Sequence, residues 1–159
     1  MSSQAAAARV AALLVGRKQT VAVAESSAGG LVAARLLALP GASAYFLGGG
    51  VIYTATAREA LLGITPAEMA GLRSASEPYA QLLAERLRQR LGADWALAET
   101  GAAGPSGNRY GDAAGHSCLA VSGPGAAVRT LETGSADREA NMEAFATAAL
   151  ELLEETLRS

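Results

Sequence analysis

Ser26 and Ser27 follow an alternating apolar stretch, TVAVAE, and precede Gly29 and Gly30, which open an apolar-periodic run. Open α/β folds bind ligands at such strand-to-helix junctions, because the free N–H groups of the helix point at bound anions or oxyanions. Each serine therefore reads in three ways: a nucleophile, a phosphate contact, or a helix cap worth about 1 kcal/mol. Two more glycine-rich segments, FLGGG at 46–50 and TGAAGPSGNRYGD at 100–112, offer backbone that a ligand can approach closely. The candidate ligand contacts are Glu25, Ser27, Gly29 and Gly30 in the first segment and Gly49 and Gly50 in the second. Thr100, Gly101, Gly104 and Arg109 are those of the third.

Other chemistries fall away. No G-x-G-x-x-G motif occurs, and the only lysine, Lys18, lies outside any G-x-x-x-x-G-K context, so neither nucleotide-binding fingerprint is met. A lone His116 and a lone Cys118 give no metal-ligand spacing, and no metal is expected. The formal charge of −2 and the lack of a basic stripe argue against nucleic acid as a partner. Cys118 has no partner for an internal disulfide and lies in an apolar run, SCLAV, that reads as a buried strand; a reducing, cytoplasmic setting fits.

The elements that must position these residues are legible in outline. The 159 residues, half of them hydrophobic, read as one domain over 1–159. The N-terminal run reads as an amphipathic helix and not a signal peptide, because Arg9 interrupts it and no cleavage motif follows. The longest uncharged window, between Arg35 and Arg58, holds Pro40 and four glycines, so no membrane span is expected. Periodicity predicts helices over 3–16, 29–38, 57–62, 66–72, 76–91 and 137–157 and strands over 19–24, 45–53, 94–99, 116–121 and 127–132. The GGG triplet must bend or bulge the second strand. The predicted inward faces carry Ala6, Val10, Leu13 and Leu14; Tyr79, Leu82, Leu83, Leu87 and Leu91; and Met142, Phe145, Ala149, Leu152 and Leu153. The sum is an α/β fold, a three-layer α/β/α sandwich on a mixed, mostly parallel sheet.

Four segments, AESSAGGLVAARL, PGASAYFLGGGVIYTATAREALLGI, SEPYAQLLAE and ETGAAGPSG, stand in an order and spacing that resembles the C-terminal domain family of competence/damage-inducible CinA proteins. The resemblance covers nearly the whole chain. Stand-alone members of that family include nicotinamide mononucleotide deamidases, which hydrolyse a pyridine carboxamide to the carboxylate and ammonia. The resemblance implies no cofactor and carries the nucleophile onto Ser26 and a nearby tyrosine onto Tyr53. The family's lysine base falls on Arg58. Arginine stays protonated, so Arg58 is no ordinary general base. A second departure follows TGAAGP, where GNRYGDAAGHSC replaces the family's usual Lys-Pro-Val-Gly run and brings in Arg109, Tyr110, Asp112 and His116.

The implied reaction is acyl transfer. Ser26 attacks the carboxamide carbon, amides at the start of the 29–38 helix stabilise the oxyanion, ammonia leaves, and water hydrolyses the acyl-enzyme. The base is then Tyr53, if a close Arg58 guanidinium lowers its pKa, or His116, whose ordinary pKa lies near neutrality. Arg58 alternatively forks a substrate phosphate, and Arg109 pairs with Asp112 across the loop. Two other classes stand beside the amidohydrolase. One is a catalytically silent domain that binds a nucleotide or phosphorylated metabolite. The other is an oligomeric interaction module built on the uncharged 36–57 segment. The expected partner is a small molecule, a pyridine nucleotide or phosphorylated metabolite, and a homo-oligomer suits all three.

Overall fold

The computed structural model describes residues 2–159. The helices are α1 (Ser3–Arg17), α2 (Leu31–Leu37), α3 (Ala55–Leu62), α4 (Glu77–Leu91) and α5 (Arg138–Arg158); the strands are β1 (Val21–Glu25), β2 (Phe46–Val51), β3 (Trp95–Ala102), β4 (His116–Ser122) and β5 (Ala127–Glu132). Short polar residues start four of these helices: Ser2, Thr54, Ser76 and Asp137 each accept a bond from the N–H three residues on. Gly63 and Gly92, in left-handed conformation, end α3 and α4.

The strands form one sheet in the order β2-β1-β3-β4-β5. Its two faces differ in side-chain size. Val21, Val23, Trp95, Leu97, Leu119 and Val121 face α1, α2 and α5, where they meet Val10, Leu14, Leu36, Phe145 and Leu153. The alternate residues, Ala22, Ala24, Ala96, Ala98, Cys118 and Ala120, face Tyr79, Leu83 and Leu87 of α4. Period-two alternation thus sends the large residues to a three-helix layer and the small ones to a side where one long helix lies against the strands. Cys118 is buried, as its apolar run predicts.

Four expectations need correction. The sheet is evenly mixed: β1 pairs in parallel with β2 and β3, whereas β3–β4 and β4–β5 are antiparallel. The 103–115 connection contains no helix to carry the chain back across the sheet, so β4 returns beside β3. Residues 66–72 form successive turns and not a helix. Thr65 and Glu68 exchange capping bonds there, but Gly71 at φ +75 ends the run within a few residues. Leu91, expected inward, is 42% exposed at the end of α4. The predicted strands begin or end up to three residues from the observed ones; β3, for instance, continues to Ala102 and so carries Thr100 and Gly101.

The bulge expected of the GGG triplet is present. Val21 lies opposite Phe46 and Ala22 opposite Gly48, leaving Leu47 as the extra residue. Leu37, Leu47, Val51 and Tyr53 of the uncharged 36–57 segment are exposed, and β2 is an edge strand. Because β2 and β3 flank β1, the chain leaves β1 toward one side and the next strand arrives on the other. The crevice at such a switch point is where open α/β sheets bind ligands.

Gly49 shows how tightly β2 meets β1, since a Cβ there would lie 1.9 Å from the Val23 carbonyl oxygen. Gly49→Ala is expected to cost about 2 kcal/mol, lowering Tm by roughly 4 to 8 °C. Gly16→Ala, in α1 with nothing within 4 Å, is expected to raise stability by about 0.5 to 1 kcal/mol. Thermal melts of the two variants check both signs.

Candidate active site

At the carboxyl ends of β1, β2 and β3 lies a cavity of about 330 Å3, lined among others by Ser26, Tyr53, Arg58, Tyr79, Thr100, Gly101, Arg109 and Tyr110. The volume suits a ligand of nucleotide size. Two of the lining residues are arginines and none is a carboxylate.

Behind the cavity the serine turn is held by two buried acids. Glu99, in β3 and 1% exposed, takes the Ser26 N–H (3.0 Å) and the Ala28 N–H (2.7 Å) on Oε1, and the Ser27 and Ser117 hydroxyls on Oε2. Glu25, equally buried, accepts from the N–H groups of Gly30, Val32 and Ala33 at 2.9–3.1 Å. Burial pushes the Glu25 carboxyl above its usual range, its three amide bonds oppose that, and the neighbouring Glu99 adds to it.

These bonds decide what the turn can do. Neither serine caps α2, because Glu25 does so; the N-cap residue itself is Gly30, without a side-chain bond. The amides at the start of α2 are also occupied, so the oxyanion role expected of them is not open. Ser27 is buried and donates to Glu99, away from the cavity. Ser26 is half-buried, keeps its N–H on Glu99, and lines the cavity. Gly29 and Gly30 take the positive φ values of the turn, 68 and 102, and Gly104, also at positive φ, accepts from Arg138. Gly49 and Gly50 line a separate apolar groove with Leu47, Leu61 and Leu91.

The cations in front are placed differently from expectation. Arg58 donates to Ser74 Oγ at 3.2 Å and lies over the Tyr79 ring at 5.5 Å. The guanidinium bonded to Tyr53 Oη is Arg138's, at 3.3 Å, and Tyr53 is 59% exposed. Arg109 turns to Tyr110, donating to Oη at 3.1 Å with its guanidinium 5.1 Å from the ring. Asp112 pairs not with Arg109 but with Arg73, at 2.6 Å, and that bond holds its carboxyl below the usual range. Residues 73–76 fold over the end of β3. Ala75, in left-handed backbone at φ 55, donates its N–H to Thr100 and accepts on its carbonyl from His116 Nε2 (2.8 Å).

His116 lies outside the cavity lining, only 5% exposed, with Nδ1 against Glu132 at 2.5 Å and Nε2 on Ala75. Both ring nitrogens are engaged. Burial alone would lower its pKa, but Glu132, the Ala75 carbonyl and Asp112 outweigh it and raise the pKa above the usual value. An imidazolium held in this way is a structural tie and a poor proton acceptor.

The site also contains groups to which sequence reasoning assigned no role. Glu99 had a readable signal, an acid inside an otherwise apolar strand. Tyr79, expected only as core, and Tyr110 reach the cavity from α4 and the 103–115 loop. Arg138 lies 85 residues from Tyr53 in sequence and had no signal.

The architecture and the site define a three-layer α/β domain with a serine turn clamped from behind by acids and faced by cations. The profile of the CinA C-terminal domain matches residues 3–157, and the chain belongs to that family. It is 39% identical over 151 residues to a CinA-like protein of Desulfosudis oleivorans, covering 94% of this chain and 37% of that one. A CinA-like protein of Prochlorococcus marinus is 46% identical over 112 residues, 70% of this chain and 26% of the relative. The chain thus spans between about a quarter and somewhat more than a third of the length of these relatives. Among solved structures, a CinA superfamily protein of Klebsiella pneumoniae superposes with TM-score 0.92 at 28% identity over 99% of both chains. The competence/damage-inducible protein CihA of Agrobacterium tumefaciens gives 0.90 at 28% identity, over 99% of this chain and 96% of that one. Among the described residues no helix is long and apolar enough to cross a membrane.

Glu99→Ala is expected to leave four buried donors without their acceptor and to cost about 4 kcal/mol, with Tm falling roughly 10 °C; Glu99→Gln, which keeps one carbonyl acceptor, falls between. A second expectation follows from His116. Its raised folded pKa contributes stability that is complete below the unfolded value of about 6.5 and is lost as pH rises through the folded value. Urea unfolding from pH 6 to 8.5 should show a decline in the wild type that His116→Gln lacks.

Proposed function

We propose that this chain is a serine amidohydrolase that converts nicotinamide mononucleotide to the carboxylate and ammonia, with Ser26 as nucleophile. The observation that carries the reading is the composition of the cavity: Ser26, three tyrosines and two guanidiniums, without a lining carboxylate. Nicotinamide mononucleotide is a phosphate monoester joined to a flat pyridinium. Arg58 and Arg109, neither within ion-pair distance of an acid among the described residues, suit the phosphate. The exposed ring of Tyr53, which unlike Tyr79 and Tyr110 has no guanidinium against its face among the described residues, suits the pyridinium. The positive field of the arginines also favours the charge that develops on the carboxamide oxygen under attack. On this reading Arg58, pinned by Ser74 and Tyr79, is an electrostatic contact and not the base.

Purified protein is expected to release ammonia from nicotinamide mononucleotide, and Ser26→Ala to abolish release while keeping its fold, since the bond to Glu99 is made by the backbone N–H. Arg58→Ala should narrow the preference for the mononucleotide over nicotinamide riboside, which lacks the phosphate, mainly through KM. Saturable binding without ammonia release would instead identify a silent ligand-binding domain.

A further inference from the structure

Arg58 is held by Ser74, and Ser74 lies in a stretch, residues 73–76, that belongs to neither a helix nor a strand. Such a stretch keeps its place only through its bonds to neighbouring elements. Ala75, at its centre, is 3% exposed and sits in left-handed backbone at φ 55, a conformation that a residue with a Cβ keeps only where its surroundings impose it. Three elements do so. β3 offers Thr100 Oγ1 to the Ala75 N–H at 3.2 Å, the 103–115 loop offers Asp112 to Arg73 at 2.6 Å, and β4 directs His116 Nε2 at the Ala75 carbonyl at 2.8 Å.

The last of these bonds depends on a proton. His116 has an acceptor at each ring nitrogen: the Glu132 carboxylate 2.5 Å from Nδ1, and the Ala75 carbonyl at Nε2, with the Asp112 carboxylate 3.5 Å from that same nitrogen. A neutral imidazole carries one N–H and one lone pair, so it satisfies only one side; the imidazolium satisfies both. When one proton leaves to solvent, the other stays at the shorter contact, against the Glu132 carboxylate, and Nε2 turns a lone pair toward the Ala75 carbonyl oxygen. A bond becomes a repulsion. The Cys118 thiol, 3.5 Å from the same oxygen, is a weak donor in its place.

We propose that His116 is a positioning residue whose proton holds the Ser74 wall of the cavity, and with it Arg58, in place. From the imidazolium the connection runs to the Ala75 carbonyl, along the chain to Ser74, and from its hydroxyl to the Arg58 guanidinium at 3.2 Å. The consequence for a ligand, weaker binding of the substrate phosphate as the pH rises, rests on the reading of Arg58 given above.

The groups that face the ring favour its charge. Glu132 of β5 and Asp112 of the loop are the nearest carboxylates, and Arg73 opposes them only through its pairing with Asp112. Cys118 of β4 lies with Sγ 3.7 Å from Nε2; Glu77 of α4 stands beyond it, bonded to Thr130, and Tyr110 reaches the same wall through Ser74. The raised pKa of His116 agrees with this balance and puts the loss of the proton on the alkaline side of the ordinary imidazole range.

His116 is the only histidine of the chain, so its ring gives one unambiguous set of nuclear magnetic resonance signals. In the isotope-labelled full chain, the ring nitrogens and the Ser74 and Ala75 amides are followed from pH 6 to 9, and the Kd for nicotinamide mononucleotide is measured over the same range on a Ser26→Ala background that prevents turnover. The ring is expected to lose its proton at a midpoint above about 6.5, with both amides shifting at that same midpoint. Across it the Kd should rise about 10-fold relative to His116→Gln. That variant keeps for Ala75 an N–H that does not titrate, and ionisation of the phosphate, at about pH 6, affects both proteins alike. Amides that ignore the ring's titration would overturn the assignment, as would a ring that keeps its proton to pH 9 or a Kd with the same pH dependence in His116→Gln. Amides that follow the ring in a protein that binds no nicotinamide mononucleotide at any pH remove the proposed substrate and leave the positioning role in place.

Discussion

The carboxylate of Glu99 fixes the position of everything on the serine side of the cavity. Placing a carboxylate at 1% exposure costs several kcal/mol in lost hydration, and it is tolerable because four donors converge on it. Bonds to a charged acceptor contribute about 1.5 to 3 kcal/mol each, enough to offset the burial. Those donors come from the turn after β1 and from Ser117 on β4, so one side chain of β3 ties its two neighbouring strands together at their functional end. Glu25 does the same locally for α2. With Ser27 turned inward by that network, Ser26 is the hydroxyl left facing the ligand space.

A consequence is that this domain does not use its strand-to-helix turn as an anion cradle. In many α/β proteins the free amides at that place bind phosphate or stabilise an oxyanion. Here Glu25 and Glu99 have taken them, and their negative charge behind the turn disfavours a second anion against the same backbone. Positive charge lies in front, on the side chains of Arg58 from α3 and Arg109 from the 103–115 loop. On the proposed reading, recognition of an anion falls to these side chains and not to the backbone of the turn.

The layered fold was legible because its signals are local. Ser2, Thr54, Ser76 and Asp137 announce helix starts by their own hydroxyl or carboxyl chemistry, and the alternation of Val with Ala in β1 separates the sheet's two faces. Residues 66–72 misled for the same reason: Thr65 and Glu68 make a genuine capping box, but Gly71 withdraws the helix that should follow. The parallel bias of the predicted sheet failed where no local signal exists, at the 103–115 loop, which has neither periodicity nor a helix. Of the site, Ser26, Tyr53, Arg58, Thr100, Gly101 and Arg109 do line one cavity. Their partners were not legible. Whether Asp112 meets Arg109 or Arg73 depends on how Asn108 folds the loop back, and nothing in spacing reveals a contact across 39 residues.

On the proposed reading, an arginine at position 58, where the family resemblance implies a lysine, is a division of labour. A lysine able to lose its proton can serve one site as both cation and base, but only if burial depresses its pKa, and then it is a weaker anion contact. Arginine removes that conflict by staying charged. Once Arg58 is committed to charge, proton transfer must come from another group. The 103–115 loop brings Tyr110 to the cavity, with its ring 5.1 Å from the Arg109 guanidinium and 5.2 Å from that of Arg73. On the proposed reading, the two departures from the family pattern act on one site, because Arg58 and Asn108, Arg109 and Tyr110 of the loop line the same cavity.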